Sequence, residues 1–211
     1  MERQKLMPLH LLLIALPVIA SILGGLLTTG SLTAFTTLSG AQGISPAQFH
    51  LAISIFVGVF AFIWRFFPKT YVVIEIFVLA LFYTITMSTA LQLKSNLLFL
   101  FGLNIVYAFL LAVVTKLTFY NKFLLRFRLF AFTLIAALLH ASYFFVLYKL
   151  LTDSYTPSSF VENYLGAFYL FIFTGFGLSL ADNIITRKDI EELRKIQQRQ
   201  AEEEDETEDD I

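Results

Sequence analysis

Four polar residues stand inside or at the end of otherwise apolar runs of this chain, and they are the ones that could carry chemistry: Glu75, Asn104, His140 and Asp182. An ionisable group within a membrane-length apolar segment is a candidate for ion or proton handling, because hydrocarbon otherwise disfavours it. Glu75 follows Tyr71 by four residues, a depth of only about 6 Å along a helix. It therefore also reads as a side chain that reaches the interface or pairs with Arg65 or Lys69. Asn104 and His140 lie near the middle of two consecutive apolar runs, where an amide and an imidazole can hydrogen-bond across a helix pair. The functional alternative is a proton relay through Glu75, Asn104 and His140, which would ordinarily require more carboxylates at depth. Asp182, followed by Asn183, reads as an end-of-span charge at headgroup level near Arg187.

The patterns that would supply other chemistry are missing. The chain has no G-x-x-x-x-G-K-[ST], no G-x-S-x-G, no H-E-x-x-H and no Gly-rich dinucleotide turn. It has no Cys, which excludes disulfides, thiol nucleophiles and Cys-based zinc sites. Three His and no pair of carboxylates at depth make an unpromising metal site. The expectation is a non-enzymatic chain without cofactor, metal or nucleic-acid partner. Small residues spaced by four, Ser21 with Gly25, Gly175 with Ser179 and Gly177 with Ala181, mark candidate faces for close helix packing.

The elements that must position these residues are apolar helices. Of 211 residues, 57% are hydrophobic and 15% charged, and the mean hydropathy is +0.74. A soluble domain of this size needs more polar surface. Apolar runs at about 7–28, 50–67, 71–91, 96–115, 129–148 and 164–185 predict an all-α, polytopic membrane bundle of six transmembrane helices. A cleaved leader, with V-I-A-S at 18–21 as its processing site, is the competing reading of the first run, which continues past that point. Pro17 should kink it. Residues 29–47 form an uncharged loop of Thr, Ser, Gly and Gln.

Orientation follows from the bases. The basic loop from Lys116 through Lys122 and Arg126 to Arg128 lies between two apolar runs. With it fall Arg3, Lys5, Arg65, Lys69 and the five bases from Arg187 to Arg199, against only Lys94 and Lys149 on the other side. Thirteen bases against two put both termini in the cytoplasm. Beyond the last run, Ile190, Leu193 and Ile196 are three apart, which predicts a cytoplasmic amphipathic helix over 186–200 with a face available to dock on the basic loop. Residues 201–211 hold eight acids and no base and are expected to be disordered.

Four stretches carry a resemblance: F-V-L-A-L-F-Y-T-I-T-M-S-T-A-L at 77–91, F-G-L-N-I-V-Y-A-F-L-L-A-V-V at 101–114, L-F-A-F-T-L-I-A-A-L-L-H at 129–140 and T-P-S-S-F-V-E-N-Y-L-G-A at 156–167. Their layout resembles the rod shape-determining protein MreD family, small polytopic proteins of bacterial inner membranes. The family's Gly-rich turn with an Asp has no counterpart in F-V-L-A-L-F-Y-T-I at 77–85, so no site residue is carried over. The resemblance implies an inner-membrane scaffold of a cell-wall elongation and cell-shape complex, with a bitopic partner of the MreC type. The alternative is a small-solute transport component, such as the six-span substrate-binding subunit of an importer. That reading requires a deep polar cavity lined by Asn104 and His140 with the loop 29–47 as lid. A membrane enzyme would require Glu75, Asp182 and His140 to converge.

Overall fold

The computed structural model describes residues 7–29, 46–90, 97–121, 127–151 and 157–208, with side chains described no further than residue 191. All regular structure among these residues is helical, and there is no strand. A helical turn at Met7–His10 leads into α1, Leu12–Thr29. Then follow α2, Pro46–Phe66; α3, Thr70–Ala90; α4, Leu97–Phe119; α5, Arg128–Leu151; and α6, Pro157–Glu208.

Local chemistry sets several of these boundaries. Pro46 and Pro157 each occupy the first position of their helix, where the missing N–H has no intrahelical partner to lose. α2 ends before Pro68, whose ring disfavours helical geometry in the residue ahead of it. The chain turns at once into α3 through Tyr71 N–H to Pro68 O and Val72 N–H to Lys69 O, both 3.1 Å.

Four helical segments are long and apolar enough to cross a membrane: Thr70–Thr89, Leu97–Phe119, Arg128–Leu150 and Phe160–Lys188. Leu12–Leu27 and His50–Phe66 are apolar but shorter. The outward faces are apolar as well, with Leu27, Val78, Leu98, Phe130 and Leu165 all exposed. A surface of that kind suits lipid rather than water.

Two helices run further than the sequence pattern suggests. α4 continues to Phe119, so Lys116 stands on a helix and not in the loop. Lys122 and Arg126 lie outside the described residues, as do residues 30–45 of the first long loop. α6 does not stop near 185 or break at 200; its backbone is helical to Glu208, into the segment for which disorder is expected. Ala and Glu are strong helix formers, which favours continuation of a helix already nucleated by packing, against the mutual repulsion of the clustered acids. The side chains of Ile190, Leu193 and Ile196, on which the amphipathic stub and its docking depend, lie outside the described ones.

α6 is the centre of the packing, with its most extensive contacts to α5 and α1; α1 also packs on α2, and α3 on α4. Pro17 explains the close approach at α1. With no N–H on Pro17, the Leu13 carbonyl loses its helical donor, and that carbonyl faces Gly58 of α2: a Cβ built on Gly58 would stand 2.7 Å from Leu13 O. On the other side, a Cβ on Gly177 of α6 would stand 2.4 Å from Leu16 O and 2.7 Å from Pro17 Cα. α1 is thus held between two glycines at its proline, and only hydrogen fits there. Gly24 is likewise covered by the Phe173 ring, and Gly175 by Leu129 and Phe132. Ser21, Gly25 and Ala181 are buried in the same region, while Ser179 is partly exposed. Gly24 and Gly58 also follow a small residue by four, Ala20 and Ser54, but these pairs are not among the three singled out from the sequence.

Candidate functional site

The four polar candidates occupy three separate surroundings. The first is the basic end of the bundle. The Asp182 carboxylate of α6 accepts from Arg128 Nη1 of α5 at 2.5 Å and from Arg65 Nη1 of α2 at 3.2 Å. Arg128 also donates to Ser179 Oγ at 3.2 Å, Ser179 O at 3.3 Å and Asn183 Oδ1 at 2.6 Å. Asp182, expected as an end-of-span charge near Arg187, takes Arg65 and Arg128 as its partners. It clamps three helices, because α6 presents it between the basic last turn of α2 and the basic first residue of α5.

Aromatic rings extend this cluster. Lys69 Nζ lies 4.1 Å and Lys116 Nζ 4.7 Å from the Trp64 ring centre, within cation–π range, and Lys69 also donates to Trp64 O. Tyr120 donates to Ala61 O at 3.2 Å. Burial raises the Tyr120 phenol well above its ordinary range, and Asp182 adds to this against the opposing pull of Arg65 and Arg128. Beside the cluster, a cleft of about 840 Å³ lies between α5 and α6, with Arg128, Ser179, Asp182, Asn183 and Thr186 among its lining.

The second surrounding is the buried core of α3, α4 and α5. Asn104 is fully buried. Its Oδ1 accepts from Tyr143 OH at 2.6 Å, and its Nδ2 donates to Thr84 Oγ1 at 2.9 Å. Thr84 passes the chain on to Ala80 O at 2.7 Å. His140 Nδ1 is 2.9 Å from Tyr107 OH. The expected bond across α4 and α5 thus forms twice, but each time through a tyrosine, and Asn104 does not meet His140. The rings of Tyr83, Tyr107 and Tyr143 stack into the space between, with centroids 4.5 Å apart for Tyr107 and Tyr143. A tyrosine body fills hydrocarbon space while its hydroxyl satisfies the polar group, and that is what lets an amide and an imidazole sit here.

A related cluster, not visible from spacing, joins α2 to α6. His50 Nε2 lies 3.0 Å from Thr174 Oγ1, and Ser54 Oγ lies 2.8 Å from the same atom while donating to His50 O at 3.0 Å. All three side chains are essentially buried. The one signal that could have pointed to it is His50 and Ser54 being one helical turn apart at the start of an apolar run. A hydroxyl beside an imidazole has the elements of a nucleophile and base, but with no access for a substrate it serves as an interhelical clasp.

The third surrounding is a groove of about 630 Å³ along the seam of α2 and α3, the thinnest interface between consecutive helices. Glu75 lines it. The side chain is 9% exposed, and neither carboxylate oxygen has a hydrogen-bond partner among the described residues. The expected pairing with Arg65 or Lys69 does not occur, since Arg65 bonds Asp182 and Lys69 bonds Trp64.

Glu75, Asp182 and His140 consequently form no common site, and no relay links Glu75 to Asn104 or His140 among the described contacts. Among the described residues no group of three His, Cys, Asp or Glu could hold a metal ion. No family model matches the chain, and neither a curated protein nor a solved structure matches it.

Proposed function

We propose that this chain is a non-enzymatic integral membrane scaffold with six spans and both termini in the cytoplasm, which holds partner proteins of a bacterial inner-membrane assembly, a cell-wall elongation and cell-shape complex with an MreC-like bitopic member. The observation that carries the reading is where the free volume lies. Asn104 and His140, the groups a solute would be expected to meet, are hydrogen-bonded to Thr84, Tyr143 and Tyr107. Neither the 840 Å³ cleft nor the 630 Å³ groove includes them. Both cavities open on the flanks, where a partner helix or lipid is met.

The topology draws on the basic end. Arg65, Lys69, Lys116 and Arg128 are drawn together there by Asp182 and Trp64, while Lys149 stands at the far end of α5. This is the asymmetry that the positive-inside rule assigns to the cytoplasm. A chain without Cys allows a direct check: single cysteines at Lys94 or Lys149 should react with an impermeant maleimide from outside the cell, and one at Arg187 only after lysis. Labelling of the Arg187 cysteine in intact cells overturns the topology.

The functional test is gentle crosslinking in the native membrane, purification in mild detergent and mass spectrometry of what accompanies the chain. Recovery of cell-wall synthesis and shape proteins is the expected result. Recovery of ATPase and coupling subunits, or of the chain alone with a bound small molecule, overturns the scaffold in favour of a transport component.

A further inference from the structure

Apart from Glu75, and the Tyr71 phenol at its end, the groove between α2 and α3 is lined by apolar side chains. Its walls run from Leu51 to Ile63 on α2 and from Tyr71 to Phe82 on α3, which at 1.5 Å per residue is about 17 Å. That is more than half of a hydrocarbon core of about 30 Å. The shape is long and shallow, that of a seat for about three helical turns, where a compact solute would call for a rounder cavity. Ile55, Ile74, Val78 and Phe82 form an exposed apolar rim, and Ala52 leaves space on the floor.

The exceptional point is Glu75. A carboxyl group buried among Phe56, Leu79 and their neighbours is unfavourable unless something donates to it. No group among the described residues reaches it with hydrogen-bond geometry, and Lys69, the base nearest in sequence, is turned to Trp64.

We infer that this groove is the docking site for a single transmembrane helix of a partner protein, and that the helix carries a Lys or Arg which meets Glu75. The inference deepens the scaffold reading and rests on its orientation, which places the Tyr71 end of the groove at the cytoplasm. Glu75 then lies one to two turns below the cytoplasmic interface. A basic residue at that depth of a bitopic helix can extend its stem along the apolar groove, with its head near the side of the membrane where bases collect. Charge complementarity and groove length together select a helix with one base over a purely apolar helix or a lipid tail.

The single Trp of the chain, Trp64, stands next to Ile63 at that end of the groove and makes a ready energy-transfer donor. The test reconstitutes the full chain in phosphatidylcholine nanodiscs with a synthetic Leu/Ala transmembrane peptide of about 23 residues. The peptide bears a dansyl group at its cytoplasmic end and a single Lys about six residues below it; its control has Leu in place of the Lys. The Lys peptide should bind about ten-fold more tightly than the control. That preference should vanish in Glu75→Leu and shrink in Glu75→Gln, and Ala52→Phe, which fills the floor, should weaken the Lys peptide in a chain that keeps its thermal transition.

Equal affinity of the two peptides, or a preference that survives Glu75→Leu, overturns the inference. So does dodecylamine displacing the Lys peptide while the peptide itself shows no preference over its control, which assigns the groove to an amphiphilic amine. Loss of the preference while crosslinked shape proteins are still recovered removes the groove and leaves the scaffold. A preference intact with no membrane partner recovered keeps the groove chemistry and removes the scaffold.

Discussion

Asp182 and Glu75 begin as the same kind of residue, a carboxylate near the basic end of an apolar helix, and they end in opposite surroundings. Asp182 is one-fifth exposed and takes two guanidinium groups from two other helices. Glu75 is more deeply buried and has no donor among the described residues. The difference lies in the neighbours. Where α6 meets α2 and α5, those helices bring Arg65 and Arg128 to the contact; where α3 meets α2, the facing residues are Phe56, Val59 and Ile63. The packing differs in parallel. Around α1 and α6, backbones touch through Gly58 and Gly177, while the α2–α3 seam leaves a groove. One region is complete within the chain. The other is built like half of an interface.

The contrast can be broken at its strongest point first. Gly177→Val places a side chain against the backbone at Leu16 and Pro17, where neither partner can yield. It should destabilise the bundle by about 3 kcal/mol, read as a fall in thermal midpoint in detergent. Gly166→Val, with nothing within 4 Å of its Cβ position, should stay within about 0.5 kcal/mol of wild type. Equal effects at the two glycines would show that α1 is not held as described.

Next comes the clamp itself. Asp182→Ala leaves Arg65 and Arg128 facing each other without their shared acceptor, and should cost about 2 kcal/mol, since both groups are only partly buried. Asp182→Asn should cost less, because one acceptor oxygen remains. Chemical denaturation monitored by Trp64 emission measures both, and an unchanged midpoint would remove the clamp.

Asn104→Leu removes the two interhelical bonds to Thr84 and Tyr143. At about 0.6 kcal/mol per bond in a membrane, the loss should be about 1 kcal/mol, visible in the same denaturation curve. Tyr143→Phe, which deletes only one of the bonds, should lose about half as much.

The last effect is small and is the sharpest test, because its sign is reversed. Glu75→Leu replaces an unmatched buried carboxyl group with a side chain suited to the groove, and should stabilise the isolated chain by about 1 kcal/mol. If it instead destabilises the isolated chain, Glu75 has a partner within the chain and the two carboxylates are alike after all.

The residue sequence by itself determined the material and the helices. Hydropathy and the absence of Cys and catalytic motifs are sums over local residues, and they need no neighbour to be read. The helical runs, the clustering of bases toward one set of helix ends and the small residues on α6 were all legible for that reason, as was Pro17 as a special point of α1. What tertiary structure alone decided is who meets whom. Asn104 was legible as an interhelical hydrogen bonder, but its partner is Tyr143 and not His140. The His50, Ser54 and Thr174 clasp joins residues 120 or more positions apart, and Gly58 matters because the carbonyl freed by Pro17 happens to face it. Partner choice depends on how far each helix is rotated about its own axis and on which helices abut. Neither is a periodic property of one segment, so the same apolar pattern is compatible with Glu75 turned to an arginine or to an empty groove, and only the packed bundle distinguishes the two.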